Sequence, residues 1–254
     1  MLSGSAIEPA FSEVSAWDLF DANVRMGPSG VQGEIALEAT HLLAEMDRFG
    51  IKQALVSHIA AEEYDAEEGN RALARDLHPR LVPAWAALPE RGFIEKLWAL
   101  RPAAVRLSFG AKKHNFSPAP WCCGELYESL QERSTLTVIA REDIEWDALA
   151  SLLESFPRLP VLLLETGYRA DRYLFPLFSR YSNLYIDTST YVAHRQLESF
   201  VDRFGAGHLV FGSRLPFYTP GAALAVLASA RISEESKLAV AGGTLRQLLR
   251  RATA

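Results

Sequence analysis

The chain is poor in cysteine: it holds two, Cys122 and Cys123, adjacent to each other. Neighbouring cysteines rarely bridge, because a disulfide between them strains the intervening peptide. A disulfide-stapled fold is therefore excluded, and two reduced thiols in a cytoplasmic protein are expected. A lone pair without further cysteines or histidines beside it is also a poor metal signal. Long apolar runs are missing too; none approaches the roughly 18 residues a membrane span needs. The opening "MLSGSAIEPAFSEVSAW" lacks a basic start and a long apolar centre, so no leader peptide is expected. Basic residues are not in excess: 26 Lys and Arg face 31 Asp and Glu, and the net charge of −5 argues against nucleic acid as a partner. The partner expected is a small anionic organic molecule, with no nucleic acid and no membrane, and homo-oligomerisation stays open.

What the sequence does have is a repeated alternation. Short apolar runs, "WDLFDANVR", "IKQALVS", "LVPAWAAL", "AAVRLSF", "LTVIAR", "PVLLLET", "NLYIDTS" and "HLVFGSR", have the length and composition of strands. Helical spacing fills the gaps. In "EIALEATHLLAEMDRFG", Leu42, Leu43, Met46 and Phe49 form one stripe and Gly50 ends it. "EDIEWDALASLLESF" repeats the pattern and is followed by Pro157, and a last helix starts near Ser233. Low-complexity segments and linkers are absent, so residues 1–254 read as a single domain. Strand and helix alternating about eight times over some 250 residues fits an α/β fold, the (β/α)8 or TIM barrel, with right-handed crossovers. An open doubly wound sheet is the alternative, but the first strand is followed by "NVRMGPSG" rather than a dinucleotide-binding loop.

In such a barrel, reactive groups sit at the C-terminal ends of the strands. Those ends carry Arg25, Ser57, Leu88, Ser108 with Phe109, Arg141, Glu165 with Thr166, Asp187 with Ser189, and Arg214. Strict alternation along the first strand puts Asp21, Asn23 and Arg25 on one face and Phe20, Ala22 and Val24 on the other, toward the helices. His58 and His114, in segments after strands, are candidate bases by their titration range, and loop histidines of this kind more often lie at the surface.

Here the sequence resembles the amidohydrolase-related family of hydrolases and decarboxylases. "DLFDANVRMG" looks like its D-x-H-x-H opening strand, and "LLAEMDRFGIKQALV", "GNRALARDLHPRLVPAWAALP", "NLYIDTSTY" and "FGAGHLVFGSRLPF" look like later blocks in the same order. The resemblance implies a metal-binding barrel acting on small organic acids. It also implies that Asn23 and Arg25 stand where the family has two histidine ligands. Glu165 stands for the usual sixth-strand histidine, Arg141 for a fifth-strand ligand, and Arg214 for the eighth-strand aspartate. Zinc takes imidazole, thiolate or carboxylate ligands. An arginine has no free lone pair. A guanidinium about 4 Å from a dication costs on the order of 8 kcal/mol at an effective dielectric of about 20. The expectation is no metal and no other cofactor. Arg25, Arg106, Arg141 and Arg214, with Asn23, converge on the vacated space as substrate-binding groups, and Glu165 and Asp187 are the candidate catalytic groups. Either the arginines close a salt-bridge plug with Glu165, Asp21 and Asp187, or they form a cup for a carboxylate or phosphate. Three functions follow: an anion-binding barrel with metal-independent, lactonase-like hydrolysis; a catalytically inactive pseudoenzyme; or a metal-dependent hydrolase or decarboxylase with relocated ligands.

Overall fold

The computed structural model describes residues 14, 16–29 and 36–253. Most of the opening stretch read for a leader lies outside the described residues, as do Glu34 and Ile35 of the first helical pattern. The apolar runs form strands β1 (Leu19–Pro28), β2 (Ala36–Leu37), β3 (Ile51–His58), β4 (Leu81–Ala86), β5 (Ala104–Leu107), β6 (Leu136–Ala140), β7 (Val161–Leu164), β8 (Leu184–Asp187) and β9 (Leu209–Val210). From β1 and β3 onward they pair in parallel, each with the next in the chain. The seam between the two ends is closed just beyond β9. There Ala22 N donates to Phe211 O and Arg25 N to Leu215 O, both at 2.8 Å, and Val24 bridges Leu215 in parallel. Eight parallel strands alternating with helices therefore form a (β/α)8 barrel, as the alternation implied. β2 is an antiparallel extension on the far end of β1 and has no counterpart in the sequence reading.

The helices are α1 (Ala39–Arg48), α2 (Ile59–Glu63), α3 (Ala66–Arg75), α4 (Arg91–Ala99), α5 (Pro120–Glu132), α6 (Trp146–Ser155), α7 (Asp171–Phe178), α8 (Gln196–Phe204), α9 (Pro220–Ser229), α10 (Glu234–Leu238) and α11 (Thr244–Thr253). Their apolar stripes cover the outside of the sheet. Leu42 and Met46 of α1, one turn apart, are buried in the same cluster as Leu19, Val24 and Met26 of β1. A second cluster fills the barrel: Leu136 and Val138, Leu162 and Leu164, Tyr185 and Val210 meet Leu245, Leu248 and Leu249 of α11, which closes the bottom. Strands buried on both faces read as near-continuous apolar runs, which is why they were visible.

The first strand departs from strict alternation. Phe20 and Ala22 belong to the inner cluster, whereas Val24 and Met26 belong to the helix-side cluster. The pairing of β1 with β3 shifts register between Asp21 and Val24. An inserted residue re-aims the side chains that follow it. The expectation of one polar face for Asp21, Asn23 and Arg25 is corrected accordingly. Asn23 and Arg25 reach across the mouth, and Asp21 stays in the seam.

Candidate functional site

The mouth is organised by a side chain that the strand-end reading did not include. Glu62 lies in α2, immediately after β3, with its side chain 5% exposed. It accepts from Ser57 Oγ at 2.6 Å, pairs with Arg25 Nε at 3.2 Å, and lies 2.9 Å from Arg106 Nε. Arg106 shares the inward face of β5 with Ala104 of the inner cluster, and its side chain is 3% exposed. Its contact with Glu62 is an ion pair without hydrogen-bond alignment, and its Nη2 has no partner. A signal for Glu62 was present in "HIAAEEYD", which places acids in the first turn after a strand. Several inward arginines demand buried acids in compensation.

Glu165 is the second hub. Its Oε1 takes Arg25 Nη1 at 2.8 Å and its Oε2 lies 2.7 Å from Arg214 Nε. Arg25 thus bridges the two glutamates. Glu165 and Arg214 both carry positive φ, +61° and +64°. Non-glycine residues adopt that conformation at a cost of about 1–3 kcal/mol, and such strain clusters at functional sites. The geometry at Glu165 is held from below: Glu165 N donates to Asp187 Oδ1 at 2.8 Å, and Asn23 Nδ2 donates to Asp187 Oδ2 at 3.1 Å and to Glu165 Oε1 at 3.3 Å. Gly212 makes room for Asp187, since a Cβ there would lie 2.4 Å from Asp187 Oδ2. The Tyr191 hydroxyl, farther along the same segment, donates to Asp171 Oδ1 at 2.6 Å.

The electrostatics follow from burial and pairing. Burial alone would raise the Glu62 carboxyl, but Arg106 and Arg25 overcome it and hold the group down at about 2. Glu165 is lowered in the same way, against burial, by Arg25 and Arg214. Burial pulls Arg25 down, yet Glu62 and Glu165 leave it above the usual arginine value. Arg106 falls below that value, through burial and the neighbouring Arg25. Asp21 is raised to about 7, chiefly by burial, although its Oδ1 accepts from Asn23 N and Ser213 N; its Oδ2 has no partner. Asp187 is raised by burial too.

The other expected residues fall elsewhere. Arg141 does not join the mouth. Its Nη1 donates to Ile144 O at 2.6 Å and its guanidinium lies 4.3 Å from the centroid of the Trp146 ring. The 3-10 turn at Arg141–Asp143 directs it to the flank instead. His58 is buried rather than superficial. It caps α2 through Nδ1, which accepts from Ala60 N, and packs on Gly27, where a Cβ would lie 2.4 Å from its Nε2. His114 stacks on Phe116 with centroids 6.4 Å apart. Arg214 is the accessible edge of the network, with a side chain 22% exposed, and its guanidinium lies 4.8 Å from the Tyr218 ring centroid and 5.8 Å from that of Phe217.

No family model and no curated protein sequence matches the chain. Solved structures do. A 2,6-dihydroxybenzoate decarboxylase from Rhizobium superimposes with a TM-score of 0.72 at 15% identity, over 92% of this chain and 99% of the other. A putative amidohydrolase from Staphylococcus aureus gives 0.71 at 12% identity, over 91% and 99%. The fold is that of the amidohydrolase-related barrels. A dihydroxybenzoic acid decarboxylase from Polaromonas, with bound manganese and the inhibitor 2-nitroresorcinol, gives 0.69 at 14% identity, over 91% and 96%. Both oxygens of Glu165 and the carboxylate of Glu62 face guanidiniums. Among the described residues, no three His, Cys, Asp or Glu side chains group to hold a metal ion.

Proposed function

We propose that this amidohydrolase-fold barrel works without a metal and binds a small carboxylate or phosphate at the Arg214 edge of its mouth. One observation carries the reading: three guanidiniums, Arg25, Arg106 and Arg214, converge on two glutamates held ionised, Glu62 and Glu165. Among the described residues Asp21, Asp187 and Asp143 are the further acids near the surplus positive charge; burial opposes the ionisation of all three, and Asp143 is already paired with Lys113. A buried charge without compensation is costly, and a planar guanidinium fork suits an oxyanion. Arg214 supplies the accessible donor, beside the aromatic rings of Phe217 and Tyr218.

A thermal-shift screen with small dicarboxylates and inorganic phosphate tests this. Stabilisation of about 2.7 kcal/mol is expected at a hundredfold excess over Kd. Arg214→Met is expected to abolish it, and a shift that persists in that variant defeats the reading. Zinc and manganese ions are expected to give no stabilisation, and near-stoichiometric metal in protein purified without a metal-binding tag would overturn the metal-free part.

A second reading, metal-independent hydrolysis of a lactone, is favoured by Asp187. It lies against Glu165 and Asn23 and holds its proton above the ordinary carboxylate range, as a general acid or base does. A panel of lactones and esters separates the two: turnover lost in Asp187→Asn supports hydrolysis. A silent panel with an intact anion shift leaves a binding barrel without chemistry.

A further inference from the structure

Arg141, turned away from the mouth, lines a separate cleft of about 290 Å3 at the ends of β6 and β7. Its walls are aromatic and cationic. The Arg141 guanidinium covers the Trp146 ring at 4.3 Å, and Trp146 stacks on Tyr173 with centroids 4.7 Å apart and planes 3° from parallel. Tyr168 and Arg169 also line it, with the Arg169 guanidinium 5.2 Å from the Tyr168 centroid. Tyr168 and Tyr173 are 55% and 53% exposed, although large aromatic rings usually lie buried. Thr166, 7% exposed, also lines the cleft, and its hydroxyl has no partner. No carboxylate side chain lines the cleft among the described residues. The nearest acid paired with Arg141 is Glu145, 3.8 Å away and 87% exposed, where solvent weakens the pair.

We infer that this cleft binds a flat aromatic ring bearing one oxyanion. The tyrosine faces take the ring, since aromatic pairs stack with centroids about 4.5–7 Å apart. Arg141 and Arg169 take the oxyanion, which no lining acid repels. Arg141 is already fixed by its bond to the Ile144 carbonyl and by the Trp146 face, so little freedom is lost when it binds. A cleft of this size admits a single substituted ring and not a larger cofactor. The oxyanion can belong to a carboxylate or a phosphate ester, and the two are distinguished by the ligands used.

Isothermal titration of the full chain carrying Arg214→Met, whose mouth is expected to take no anion, with benzoate, phenyl phosphate, cyclohexanecarboxylate and inorganic phosphate tests the inference. At least one of the two ring compounds is expected to bind at least about tenfold more tightly than both non-aromatic acids. The tighter ring compound identifies the oxyanion. Arg141→Gln, Arg169→Gln and Tyr173→Ala are each expected to weaken that binding by about tenfold. Arg169 and Tyr173 are exposed, so those variants keep the fold. The wild type is expected to show the same ring binding in addition to the anion site of its mouth, which separates this cleft from the mouth. Ring compounds that bind no better than the others overturn the inference. So does unchanged affinity when Arg141→Gln, Arg169→Gln or Tyr173→Ala is added to Arg214→Met, or ring binding seen in the wild type and absent from Arg214→Met.

Discussion

Removing the Glu62 carboxylate strands Arg106 and leaves Arg25 with Glu165 alone, because both guanidiniums lean on Glu62 inside the barrel. Leaving one partner of a buried pair uncompensated costs about 3–5 kcal/mol. Glu62→Ala is therefore expected to lower the unfolding free energy by an amount in that range, read as a lower urea midpoint at unchanged m-value. The pH dependence has two opposed parts. Glu62 sits at about 2, below its ordinary 4.5, so its contribution is present above 4.5 and is lost as pH falls toward 2. Asp21 sits at about 7, above its ordinary 3.8, so its contribution is full below 3.8 and is lost as pH rises through 7. Asp21→Asn removes the second dependence and keeps the first. Urea melts at about pH 5 and about pH 8 are expected to show a smaller decline in stability toward alkaline pH in Asp21→Asn than in the wild type. The arginines were legible at this scale because strand ends announce themselves by position. Glu165 was legible as a partner in the same way; Glu62 was not, since it lies dozens of residues from Arg106 in the chain and the two meet only through the fold. Arg141 shows the same limit from the other side: its place at a strand end is real, but one short turn swings its guanidinium onto Trp146.

At the scale of elements, Glu62 is held in place by a five-residue helix that no periodicity marks. α2 is too short to stand alone. His58 caps its start, and α3 packs against it so closely that a Cβ on Gly69 would lie 2.2 Å from the Ala61 backbone nitrogen. Backbone cannot yield as a flexible side chain does. Gly69→Ala is expected to cost about 1–3 kcal/mol, the usual range for overpacking. It is also expected to weaken the anion-dependent thermal shift, because displacing α2 displaces Glu62. An exposed control, Gly92→Ala, meets nothing within 4 Å and sits in the first turn of α4, so its Tm is expected to stay within a few degrees of wild type. The bulge in β1 belongs to this scale too. Alternation reads which residues are apolar, but a one-residue insertion changes their faces without altering composition.

For the molecule as a whole, the ion pairs at one end of the barrel stand over an apolar plug at the other. α11 presents Leu245, Leu248 and Leu249 to the strands, while its arginines keep to the polar side, as Arg246 does in pairing with Asp18. The eightfold alternation was readable because the barrel strands are mostly buried on both faces and the longer helices on one. The plug was not readable as such, since an amphipathic terminal helix has the same pattern whether it lies beside a sheet or across its end. The closure of the barrel makes the two ends interdependent. β1 and the segment after β9 are joined by Ala22, Arg25 and Leu215 backbone bonds, and the same strands contact α11. Leu248→Ala empties a site that is 1% exposed and is expected to cost about 2–5 kcal/mol. The loss is read from urea unfolding, and hydrogen exchange then shows where it acts. Faster exchange is expected at the Ala22 and Arg25 amides, which span the seam, before the strands opposite respond. Exchange accelerated only within α11 would mean that the plug and the seam open independently.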